Sequence, residues 1–264
     1  MPTLEKDPLL SSAMYRSRNP ALSDSTFDKS AYSDAPWWDD QDSNMMTMEG
    51  TAEKTGILLI LIATTAIATA MYMPETALLA FIGAIAGFIL ALVIIFTGST
   101  NPVLICMYAI FEGMALGGIT WFFESYFPGI GILAVVLTLG ILGVMLVIYR
   151  AGLISWSKNL QIAVYSSLSA IVLIYLVDFI GFFLGFRVPV IHEASPLGIL
   201  FSLFVVGIAS LCLVADFDFI ERGVERGAPK QLEWRAAFGL MVTLIWLYLE
   251  ILELLAKIAA VSKR

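Results

Sequence analysis

Residues 77–97 read ALLAFIGAIAGFILALVIIFT, a run without a single charged side chain. It is about as long as the roughly 20 residues a helix needs to cross hydrocarbon. Its apolar character is continuous, whereas a membrane β-strand would alternate polar and apolar positions, so its backbone groups can be satisfied in lipid only as a helix. Six similar runs accompany it, at Ile57 to Met73, Pro102 to Phe123, Ile130 to Tyr149, Leu160 to Phe183, Leu197 to Phe217 and Ala236 to Ala260. The expected fold is therefore all-α, a multi-pass integral membrane protein built as a seven-transmembrane-helix bundle. Composition agrees: 59% hydrophobic and 14% charged residues, with a mean hydropathy of +0.87, cannot make a soluble surface.

Residues 1–55 differ from this pattern. They are rich in Ser, Asp, Asn and Pro, with ten acidic against five basic residues, and are expected to form a disordered tail ahead of a membrane domain at 56–264. No apolar segment near the start marks a secretory signal. Trp37 and Trp38, followed by Asp39, Asp40 and Asp42, suggest a short docking motif or interfacial anchor on an otherwise solvated tail.

Orientation follows from Lys and Arg near the membrane, because cytoplasmic segments hold the excess. With seven spans, one side holds Lys54, Arg150, Lys158, Arg222, Arg226, Lys230 and Arg235, and the other Arg187, Lys257, Lys263 and Arg264. The split favours a cytoplasmic N-terminus. A re-entrant last run would put both termini on the cytoplasmic side.

The functional clue is a set of carboxylates within the runs, Glu112, Asp178, Asp216 and Glu250, expected to have no internal Lys or Arg partner. Each charged carboxylate at bilayer depth costs about 2.5 to 3.5 kcal/mol on insertion scales, so it is protonated, faces water, or holds a cation. In the run from Ala215 to Gly223, Asp218 has Arg222 one turn on and reads as an interfacial pair, whereas Asp216 has only Cys212 and Ile220 at those spacings. In the last run Thr243, Trp246, Glu250 and Glu253 recur at helical spacing along one face, and Lys257 lies one turn beyond Glu253. Two carboxylates brought together in low dielectric do not both ionise cheaply, which makes a pH switch. Asp178, near the end of its run, reads equally as a path residue or as a hydrogen-bond partner of a neighbouring helix. Glycines four apart, Gly83 and Gly87, Gly113 and Gly117, Gly181 and Gly185, suggest close helix packing.

Enzyme classes find little support. His192 is the only histidine, there is no Gly-x-Ser-x-Gly elbow or phosphate loop, and Asp216 has no Gly-x-Gly-Asp partner of the kind an intramembrane aspartyl protease needs. Cys106 and Cys212 lie in different runs and read as packing residues. No enzymatic activity, cofactor or nucleic-acid partner is expected.

With the seven-span layout, the Glu112-Gly113-Met114-Ala115-Leu116-Gly117 segment, and an acid at the end of the sixth run before a short basic loop, the chain resembles the Bax inhibitor-1 family, also described as the transmembrane Bax inhibitor motif or YccA-like family. The stretch from Asp216 through Trp234 to Glu250 is similar to a bacterial branch, which implies a bacterial inner membrane. The resemblance implies a closed bundle with the last helix at its centre, a pH-sensitive calcium leak, and modulation of cell death or of membrane-protein quality control. It also implies a pH-sensing pair of aspartates in spans six and seven. Asp216 matches the first; Thr243 stands at the second, with Glu250 the nearest substitute carboxylate along the same face. The resulting expectation is a cation pathway, with calcium or protons as the transported or sensed ions and Asp216 as a possible calcium contact. Asp216 with Glu250 or Thr243 would gate it, and Glu112, Asp178 and Asp218 are pathway candidates. The alternative is a non-transporting interaction protein that modulates a membrane protease or a cell-death or stress pathway.

Overall fold

A computed structural model describes residues 44–263 of the chain. Seven helices are long and apolar enough to cross a membrane among the described residues: α1 Met48–Met71, α2 Ala77–Thr97, α3 Pro102–Tyr126, α4 Ile130–Arg150, α5 Lys158–Leu184, α6 Pro196–Glu225 and α7 Leu232–Ser262. Their starts follow local chemistry. Thr47, Asn101, Ser157 and Ser195 accept backbone N–H groups of the first turns of α1, α3, α5 and α6, and proline stands in the opening turn of α3 and α6, where its missing donor costs nothing.

The helices outrun the apolar stretches. α1 starts at Met48 rather than Ile57, α6 continues to Glu225 rather than Phe217, and α7 starts at Leu232 rather than Ala236. Hydropathy marks only the part of a helix in hydrocarbon, whereas capping carries the backbone on into the interface. One consequence corrects the expected tail boundary: residues 44–55 belong to the fold. The tail's Trp37, Trp38 and acidic run lie outside the described residues.

Burial divides the bundle. In the most apolar window of α7, 67% of residues are buried, against 17% in α2 and in α5, so those two turn most of their surface to lipid. α7 packs on α1, α3, α4 and α6, and is unbroken over about 46 Å of helix, which leaves no re-entrant break. α3 lies between α1 and α2 at close range. A Cβ on Gly83 of α2 would stand 2.6 Å from the Phe111 carbonyl oxygen, and Cβ atoms on Gly113 and Gly117 of α3 would meet the α1 backbone at Ile62 and Ala66. The third glycine pair does something else: Gly181 abuts Phe186 of its own chain, and Gly185 adopts φ 84° to end α5. That pair makes a helix C-cap and not a helix crossing.

Candidate functional site

Two cross-helix contacts fix the register of α3 against α7. The Tyr108 and Phe238 rings meet edge to face at 4.9 Å, and the Thr120 and Tyr248 hydroxyls lie 2.7 Å apart. Both pairs require parallel helices in which Glu112 falls level with Met241, within one turn of Thr243. α6 and α7 are antiparallel about their short connection, and the Lys257–Ser202 hydrogen bond sets their register at the far end. With a 1.5 Å rise per residue, Asp216 lies about 14 Å from the α6 end, Thr243 about 17 Å from the α7 start and Glu112 about 15 Å from the α3 start. The three oxygen-bearing side chains therefore occupy one layer of the bundle.

Within that layer the environments differ. Asp216 is 3% exposed, among Leu213, Val214, Phe217 and Ile220 of the core. Thr243 is also buried and donates to the Gly239 carbonyl at 3.4 Å. Glu112 is half-buried, and its carboxylate lies over Gly87 of α2, where a Cβ would come within 2.6 Å of Oε2. The absence of a side chain at Gly87 is what admits the carboxylate between α2 and α3.

Glu250 lies in a different layer, about 10 Å farther along α7 than Thr243. It is buried and accepts hydrogen bonds from the Tyr175 hydroxyl of α5 at 2.7 Å and from Trp246 Nε1 at 2.9 Å. The register thus separates Glu250 from Asp216, and the residue level with the aspartate is Thr243.

Asp178 finds its cationic partners outside the apolar runs. It accepts from Arg187 Nη1 at 3.0 Å and from the Val188 N–H at 2.8 Å, and His192 Nε2 stands 2.8 Å away. Arg187, Val188 and His192 all belong to the α5–α6 segment, which includes the short helix Pro189–His192. Asp178 fastens this connection to the end of α5 and is fully engaged there. Asp218 forms the expected ion pair with Arg222, whose Nε also donates to the Asp218 carbonyl at 3.2 Å.

A second polar cluster, at the α6–α7 connection, was not anticipated. Glu233 is completely buried, accepts from the Thr47 N–H at 2.9 Å and its hydroxyl at 3.1 Å, and pairs with Lys54 of α1. Lys54 also stands 5.7 Å from the centre of the Trp234 ring. Just before α1, the Met46 N–H donates to the Ala228 carbonyl at 2.6 Å and the Lys230 N–H to the Asn44 carbonyl at 2.7 Å. The start of the folded chain is thus clasped to the α6–α7 connection. Nearby, buried Arg235 sets a guanidinium nitrogen against Gly98 at the C-terminus of α2, where unpaired carbonyls favour a cation. The sequence signal for Glu233 was its place in the first turn of a helix, which suits an acid; its partners are too distant in sequence to be read.

Among the described residues no three His, Cys, Asp or Glu side chains are grouped to hold a metal ion. Comparisons with curated proteins and with solved structures returned no match. A family model described as Bax inhibitor 1 like matches residues 12–260, nearly the whole chain, and this multi-pass membrane protein therefore belongs to the Bax inhibitor-1 family.

Proposed function

We propose that the protein conducts a cation, calcium foremost, through its helix bundle under the control of pH. The observation that carries this reading is the layer formed by Asp216, Thr243 and Glu112. Carboxylate and hydroxyl oxygens are the ligands of a hard cation, and three helices bring them to one depth, a level at which no lysine or arginine of the described helices falls. Asp216, the most buried of the three, is the gate. A carboxylate there changes charge with pH, whereas Thr243 keeps the same uncharged hydroxyl throughout. The bundle end that carries the α6–α7 connection is taken to be cytoplasmic, in a bacterial cell membrane, and no catalytic role is assigned.

Calcium entry into proteoliposomes, followed from about pH 6 to about pH 8, tests the proposal. The wild-type protein is expected to give flux above empty liposomes that varies with pH, and Asp216→Asn to give flux with a flat profile. An unchanged profile in Asp216→Asn removes Asp216 from the gate.

The clasp favours a second reading. It holds residues 44–46 against the α6–α7 connection, where a membrane protease or another membrane protein that recognises the acidic sequence before residue 44 would act on α6 and α7. Deleting residues 1–43, which leaves the clasp intact, separates the two: a pathway keeps its flux, and an interaction protein loses partner binding.

A further inference from the structure

The polar face of α7 does not end at Glu250. It runs on through Glu253 to Lys257, whose ammonium donates to Ser202 Oγ of α6 at 2.7 Å and lies 2.9 Å from Glu253 Oε1. Lys257 is 5% exposed and Ser202 1%, although Lys257 lies within two turns of the end of α7. A lysine so placed ordinarily extends its stem along the helix and keeps its charge in water. Here the side chain turns inward instead, taking a full charge into the bundle, a choice that needs compensation from fixed oxygens. Glu253 is the only one of the two partners that still reaches solvent, with 32% of its side chain exposed. The ammonium therefore sits at a threshold: on one side a half-exposed carboxylate, on the other the buried serine and, one to two turns along the same face, Glu250.

Resting on the pathway reading, we infer that Lys257 is a tethered cation that closes the far end of the conduction route, its ammonium filling an oxygen site built by Glu253 and Ser202 that a calcium ion would otherwise enter. Its chemistry matches that task. A carboxylate and a hydroxyl are cation ligands, and a fixed positive charge between them repels a second cation while satisfying both. The tether makes the closure reversible, because one hydrogen bond and one ion pair hold the ammonium and four rotatable bonds let it swing toward the exposed side of Glu253. Two closures in series result, Asp216 near the α6–α7 connection and Lys257 near the opposite end.

The test compares initial calcium entry into proteoliposomes for the wild-type protein, Asp216→Asn, Lys257→Met, Lys257→Arg and Ser202→Ala. Methionine keeps the stem and removes the charge, and is expected to raise the rate about tenfold, the scale set by removing a like charge at contact distance. Arginine restores the charge and is expected to stay at the wild-type level. Ser202→Ala keeps the lysine but weakens its tether, should raise the rate by a smaller factor, and supplies the answer if Lys257→Met does not fold. Flux in Lys257→Met and Ser202→Ala that does not exceed that of the wild type overturns the inference and leaves the pathway standing. Silence from the wild type with flux from Lys257→Met supports the closure. Silence from every variant overturns both.

Discussion

Glu233 shows how one side chain decides whether a helix end is anchored. It has no exposed surface, and its carboxylate gathers two donors from Thr47 and the ammonium of Lys54. A carboxylate is retained at such a site because donors meet it, and removing it leaves Lys54 charged, largely buried and without its carboxylate. Glu233→Ala is expected to cost about 3 kcal/mol of stability, within the range for breaking a buried pair. Glu233→Gln, which keeps an oxygen for Thr47, should cost less. Thermal unfolding in detergent, followed by Trp fluorescence, measures the difference, and equal melting temperatures for Glu233→Ala and the wild type would remove the clasp from the stabilising contacts. By contrast Asp178, though also held by several donors, fastens a connection at the other end of the bundle, so its loss should loosen the α5–α6 segment and leave the clasp intact.

At the scale of elements, the packing of α3 rests on absent side chains. Gly83 and Gly87 look alike in sequence, yet they face different objects: the Phe111 carbonyl, which is fixed backbone, and the Glu112 carboxylate, which is the mobile end of a side chain. Gly83→Ala must push α2 off α3 and is expected to cost about 1–3 kcal/mol, whereas Gly87→Ala needs only a rotamer change at Glu112 and should cost less. Melting temperatures of the two variants would show the order, and the reverse order would mean that Glu112 is held more rigidly than the α2–α3 backbone contact. The same distinction explains what was legible in the sequence. The seven helices follow from continuous apolar runs, and Asp216 stood out because no cation lies one turn away, both being local signals. The partners of Glu233 and Lys257 are on other helices, and those of Asp178 lie in an aperiodic connection, so no spacing rule reaches them. Glu250 was read beside Asp216 because a helical face gives direction but not depth, and depth is set by how α6 and α7 turn back on each other.

For the whole molecule, the clasp ties topology to contact. The Met46 and Lys230 hydrogen bonds join the chain before α1 to the chain after α6, so the six intervening membrane-spanning helices must return it to the side from which it started. Unbroken α7 then carries the C-terminus to the opposite side. Exposure sharpens the count of charges: at the connection end Arg150, Lys158, Arg226 and Lys230 are all exposed, whereas at the far end, among the described residues, Lys263 and Arg187 are exposed, Arg187 being engaged by Asp178, and Lys257 is buried. Cations that remain in the aqueous layer set orientation, so the connection end should face the cytoplasm. Cysteine substitutions at two exposed positions test this without removing a positive charge, Glu225→Cys at the connection end and Glu193→Cys at the far end, each in a background with Cys106 and Cys212 replaced by serine. A membrane-impermeant maleimide applied to intact cells should label Glu193→Cys alone, and both variants once the membrane is permeabilised. Labelling of Glu225→Cys in intact cells would invert the bundle, place the clasp outside, and make Lys257 rather than Asp216 the proposed closure nearest the cytoplasm.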